Sequence, residues 1–121
     1  MKFMVVDDSE VIRTKISNAL NLEHFEVVGT AKNGVDAIRQ FKTFNPRVIT
    51  LDITMPLMDG IETIKRMITI DPHVRVLVVS ALADKATLIK AMNLGAYGFL
   101  CKPFTDNDLI EAIDELIEDL V

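Results

Sequence analysis

The chain has 121 residues, 50% of them hydrophobic and 26% charged, with a formal net charge of −5. That length suits one domain with a full core. The acidic balance excludes non-specific nucleic-acid binding, which needs a basic surface.

Phe3-Met4-Val5-Val6 reads as a first strand, ended by the acidic pair Asp7-Asp8. That apolar start is too short for a signal-peptide core, and no run approaches a membrane span, so a soluble, cytoplasmic protein is expected. Ser9 can cap a helix whose apolar stripe is Ile12, Ile16, Ala19 and Leu20. Phe25-Glu26-Val27-Val28 predicts a second strand, less apolar and nearer an edge. Asn33-Gly34 opens a helix carrying Val35, Ile38 and Phe41, which Asn45-Pro46 stops.

Val48 to Leu51 is short, β-branched and apolar, as in a parallel strand buried on both faces. Asp52 ends it, where the strand is expected to meet solvent, either as a turn cap or as part of a site. After the Met55-Pro56 and Asp59-Gly60 turns comes a helix with Ile61, Ile64, Met67 and Ile68, broken by Asp71-Pro72. Val74 and Val76 to Val79 predict a fourth strand ending at Ser80. Leu88, Ile89 and Met92 mark the next helix, closed by Gly95. Tyr97 to Cys101 is a fifth strand, ending at Lys102-Pro103. Cys101, the single cysteine, allows no internal disulfide and reads as a buried, unreactive thiol. Thr105 and Asp108 have capping-box spacing ahead of a last helix that turns Leu109, Ile113, Leu116, Ile117 and Leu120 inward. Its acids Glu111, Asp114, Glu115, Glu118 and Asp119 read as a solvated face. The methionines Met55, Met58, Met67 and Met92 read as packing residues, and His24 and His73 as loop residues outside any chemistry.

Five alternations of strand and helix predict an α/β fold, a doubly wound five-stranded parallel sheet with helices on both faces. Residues 1–121 read as a single domain, with no sequence left over for an attached effector. Parallel strands share one carboxyl-end rim, and there lie Asp7 and Asp8, Asp52, Ser80 and Lys102. Crowded carboxylates stay ionised only beside a cation. Oxygen ligands without His or Cys indicate magnesium, or manganese, rather than zinc. A lysine and a hydroxyl opposite the metal suit the oxygens of a phosphoryl group. Asp52 ends the central strand of the set and is the best nucleophile for an acyl phosphate.

Taken together, Val5-Val6-Asp7-Asp8-Ser9, Asp52-Ile53-Thr54-Met55-Pro56, Asp59-Gly60, Ser80-Ala81 and Lys102-Pro103-Phe104 resemble the receiver domains of two-component response regulators. Within that family they look most like stand-alone chemotaxis regulators of the CheY kind. The resemblance implies a flavodoxin-like strand order of 2-1-3-4-5. It implies that Asp52 accepts a phosphoryl group from a histidine kinase. Magnesium would be held by Asp8, Asp52 and the backbone carbonyl of Thr54, with Asp7 acting directly or through water. Lys102 would pair with the phosphoryl oxygens, Ser80 would swing its hydroxyl toward them, Ala81 would leave room for the donor, and Phe99 would be the rotating aromatic switch.

Ser80 stands where the family often has Thr, Phe99 where the best-known chemotaxis regulators have Tyr, and Leu82 cannot orient an attacking water. The implied partners are a chemotaxis-type kinase, a target protein such as the flagellar motor switch, and a phosphatase, with a monomeric chain and neither nucleic acid nor membrane. A phosphorelay intermediate that hands its phosphoryl group to another histidine protein is the nearest alternative. A magnesium-dependent aspartyl-phosphate phosphohydrolase is more remote, because adjacent acids end the first strand here and no cap domain is present. A flavodoxin-like cofactor binder lacks its phosphate loop and flanking aromatics.

Overall fold

The computed structural model describes residues 1–53, 59–81 and 85–120. Strands β1 (Lys2–Val6), β2 (Glu26–Ala31), β3 (Val48–Asp52), β4 (Arg75–Ala81) and β5 (Gly98–Lys102) form one parallel sheet in the order β2-β1-β3-β4-β5. Helices α1 (Glu10–Leu22), α2 (Gly34–Phe44), α3 (Gly60–Ile70), α4 (Lys85–Leu94) and α5 (Asp106–Ile117) alternate with the strands. A short 3-10 turn, Glu118–Leu120, follows α5. Among the described residues no helix is long and apolar enough to cross a membrane.

The sheet sorts its side chains by alternation. Met4, Val6, Ile49, Leu51, Val76 and Val78 point to one face, where they meet Ile38 and Phe41 of α2, Ile64 and Met67 of α3, and Ala91 of α4. Phe3, Val5, Val48, Leu77 and Val79 point to the other, against Ile16 and Leu20 of α1 and Leu109, Ile113 and Leu116 of α5. The helices start where local chemistry dictates. Asn33, Asp59 and Thr105 each cap a helix by accepting an N–H three residues on, and Asp108 returns the bond to Thr105. The five helices are unequally held: α4 buries Ala91 alone, whereas α5 buries four side chains.

Three expectations are corrected. β2 starts one residue later and ends three residues later than Phe25 to Val28, because a bulge pairs Met4 with Gly29 and carries the pairing on to Ala31. Val35, expected inward, is exposed. Cys101 is half-buried rather than buried, because its strand lies at the edge of the sheet. Asp119 is exposed, as expected of a solvated face, and has a partner besides. It pairs with the guanidinium of Arg75, which is buried at the start of β4, also donates to the Leu116 carbonyl at 2.8 Å, and stacks 4.4 Å from the Tyr97 ring.

One packing contact bears directly on the carboxyl end of β3. Gly60, the first residue of α3, donates its N–H to the Ile53 carbonyl at 3.3 Å. A Cβ on Gly60 would fall 2.3 Å from the Ile53 Cα. Helix and strand end approach so closely that any side chain must push them apart. Gly60→Ala is expected to cost about 1–3 kcal/mol through overpacking, read as a lowered urea midpoint; a midpoint equal to wild type would show that α3 can shift freely.

Candidate functional site

Side chains at the carboxyl ends of β1, β3 and β5 converge as expected. The structure places Asp7 and Asp8 just after β1, Asp52 as the last residue of β3, Ser80 next to last in β4, and Lys102 last in β5. One carboxylate oxygen from each of Asp7, Asp8 and Asp52 lies within 4.8 Å of the others. Lys102 reaches across, its Nζ 3.0 Å from Asp7 Oδ2 and 3.5 Å from Asp52 Oδ2. Thr54, whose carbonyl was expected to join them, lies outside the described residues, as do Met55, Pro56, Met58 and Leu82.

Asp52 does not stand at the solvent boundary. It is paired in register with Val79 and is 2% exposed, so the strand carries its carboxylate under the rim. Asp7 is 1% exposed, while Asp8 is open to solvent. The site therefore has two sunken acids, one exposed acid and a half-buried lysine.

Electrostatics follow from this depth. Burial pushes the Asp7 carboxyl above its ordinary 3.8, against the Ser9 N–H and the Lys102 ammonium, which pull it down; the Asp52 charge adds to the rise. For Lys102, burial pulls the ammonium down, but pairing with Asp7 and the charge of Asp52 outweigh it and hold it above 10.5. The partners shift the same way because Asp7 is the deeper group and also faces a second acid. Lys102 is thus held as a cation beside a carboxyl whose ionisation burial opposes.

The donor set fits a hard divalent cation. It offers three carboxylates and neither His nor Cys. Asp7 Oδ1 already accepts the Ser9 N–H at 2.9 Å, whereas its buried Oδ2 has no aligned hydrogen-bond donor among the described residues, only the ammonium beside it. An oriented, desolvated oxygen of this kind is what a magnesium ion would satisfy.

Around the acids, α1 supplies two contacts that sequence reasoning missed. Arg13 Nη1 donates to the Asp7 carbonyl at 2.7 Å. Lys15 Nζ donates to the Phe104 carbonyl at 2.6 Å and sits 4.9 Å above the Phe104 ring. The two side chains flank the buried stripe of α1 on opposite edges, where periodicity reads only solvation. On the other side, Ser80 is buried, with its Oγ 3.4 Å from the Ala81 carbonyl, and Ala81 is exposed. Phe99 is 52% exposed. With Lys85, Leu88 and Ile89 of α4 and with Cys101 it lines an apolar groove of about 320 Å³ that also reaches Ser80. Tyr97 lines a second hollow with Phe99, Met92 and Leu116 and also stacks over Arg75.

Residues 3–114 match the family model of the response regulator receiver domain. The chain is 37% identical to the chemotaxis protein CheY of Bacillus subtilis over 116 residues, 96% of this chain and 97% of that protein. It is 36% identical to the CheY of Listeria monocytogenes over 115 residues, 95% and 97% of the two chains. Among solved structures it superposes with a TM-score of 0.90 and 28% identity on a chain of the CheX-CheY-BeF3-Mg complex from Borrelia burgdorferi, covering 100% of this chain and 90% of that one.

The raised Asp7 value fixes a pH dependence. A carboxyl whose folded pKa lies above its unfolded one costs the fold nothing below the unfolded value of 3.8. The cost grows as pH rises through the folded value and is complete above it. Without metal, Asp7→Asn should therefore melt higher than wild type at pH 7, and the difference should shrink toward pH 4. Magnesium at a hundredfold excess over its dissociation constant should stabilise the wild type by about 2.7 kcal/mol. A variant melting lower at pH 7 would mean that the Lys102 pair outweighs the burial cost.

Proposed function

The chain belongs to the response regulator receiver domain family, and from that premise we propose that it is a phosphorylation switch of chemotaxis signalling, with Asp52 as the acceptor of a phosphoryl group from a histidine kinase. The carrying observation is the meeting of Asp52 with Asp7, Asp8 and Lys102, the lysine 3.5 Å from the Asp52 carboxylate. The full-length match to chemotaxis regulators supports the pathway.

In the proposed reaction an Asp52 carboxylate oxygen forms the new P–O bond while the phosphorus–nitrogen bond of the donor phosphohistidine breaks. The imidazole leaves with the bonding pair and takes up a proton. Asp7, Asp8 and Asp52 would hold magnesium, joined by the Thr54 carbonyl. The ion, when bound, supplies positive charge between the carboxylates and the phosphoryl oxygens. Lys102 stays protonated and exchanges its carboxylate partner for a phosphoryl oxygen. Ser80 turns its hydroxyl from the Ala81 carbonyl toward the phosphoryl group, and Ala81, bearing only a methyl, leaves the donor's approach open. The chain assists only its own phosphorylation and dephosphorylation; its output is a changed affinity for a target protein.

Two measurements test this reading. Incubation with acetyl phosphate and magnesium should add one phosphoryl group by intact mass, and Asp52→Asn should add none; equal gain in the variant would remove Asp52. For output, the groove by Phe99 is continuous with Ser80, so movement of that hydroxyl is felt there first. Phe99→Ala should leave phosphorylation intact but narrow the difference in target affinity between the two states, since a target shifts the equilibrium only by its differential affinity. An unchanged ratio in titrations with and without beryllofluoride would take Phe99 out of the switch.

A further inference from the structure

Asp7 and Lys102 sit on chain segments nearly a hundred residues apart, and in the proposed reaction Lys102 must part from Asp7 for a phosphoryl group to be received. Something has to hold the two backbones while the side chains rearrange. We infer that α1 is this strut, with Arg13 and Lys15 as positioning residues; the inference rests on the function proposed above.

The geometry is specific. Arg13 lies one turn into α1 and reaches back to the carbonyl of Asp7, the residue whose carboxylate faces both Lys102 and Asp52. Lys15, two residues on, projects about 200° further round the helix, toward α5. There it takes the carbonyl of Phe104, two residues past Lys102, and covers the buried Phe104 ring. Thr105, the next residue, is fixed by its capping box. The segment behind Lys102 is thus held from α1 on one side and from α5 on the other. Both α1 bonds join a full cation to a backbone carbonyl at 2.6–2.7 Å, the short range of charge-assisted hydrogen bonds. A side chain that served only to solvate the helix would reach outward rather than spend its donor on a carbonyl. With both backbones fixed, Lys102 can change partners by rotating its own side chain, with no loop to reorder.

The two residues then divide the work. Arg13 holds the metal side and Lys15 the phosphoryl side. The test uses the full chain with Lys15→Met, which keeps the stem over Phe104 and loses the ammonium, Lys15→Arg as rescue, and Arg13→Met. Lys15→Met should speed hydrogen exchange in the segment 102–105, leave magnesium affinity by calorimetry unchanged, and slow acetyl-phosphate labelling at saturating magnesium by about tenfold. Lys15→Arg should restore both exchange and rate. Arg13→Met should weaken magnesium binding by about tenfold without changing exchange at 102–105. Unaltered exchange in Lys15→Met, or parallel loss of metal binding and labelling in both Met variants without rescue, would reduce α1 to ordinary packing and overturn the inference. The exchange and calorimetry arms need no phosphoryl transfer. A wild type that responds in them but gains no phosphoryl group would sink the proposed function and leave the strut standing.

Discussion

Crowding of negative charge at one rim of the sheet is the constraint on which the rest of this molecule turns. Strand pairing carries Asp52 beneath the rim, and the connection after β1 buries Asp7 beside it. Neither depth is favourable for an isolated carboxylate. Both are tolerated because Lys102 stands between them at 3.0 and 3.5 Å. One ammonium cannot neutralise three acids, so the site is left with an appetite for positive charge. It is this residual imbalance, more than any single residue, that suits the rim to the cation and phosphoryl group of the proposed function.

The imbalance explains why so much of the chain serves to hold backbone. Gly60 lets α3 close against Ile53, the residue after Asp52, with no side chain between them. Ser9 donates its N–H to Asp7 and caps α1 with its hydroxyl, so the helix and the acid are tied at one residue. These contacts restrain groups that repel one another, and the apolar layers on both faces of the sheet supply the stability against which that repulsion is set.

Most of the fold was legible in the sequence because each strand and helix announces itself by its own period. The five apolar runs and their polar terminators gave the sheet, and the terminators lay on one rim once the strands were taken as parallel. What stayed hidden depends on partners distant along the chain. Asp119 looks like any acid on an amphipathic helix until α5 brings it to Arg75, which itself passes for a charged strand start. The extension of β2 to Ala31 was masked by Gly29, a residue that ordinarily weakens strands and here sits at a bulge. The depth of Asp52 could not be read either, since whether a terminal residue is paired depends on the neighbouring strand's register.

The uneven anchoring of the helices has a bearing on how such a domain can diverge. With Ala91 its sole buried side chain, α4 contributes little to the core, and detaching or reshaping it costs a small fraction of the global free energy. Substitutions along its exposed surface are therefore nearly free of folding cost, whereas changes to α5 or the central strands are not. On folding grounds substitution is cheapest beside the Phe99 groove and most costly along the strands that carry the acidic rim.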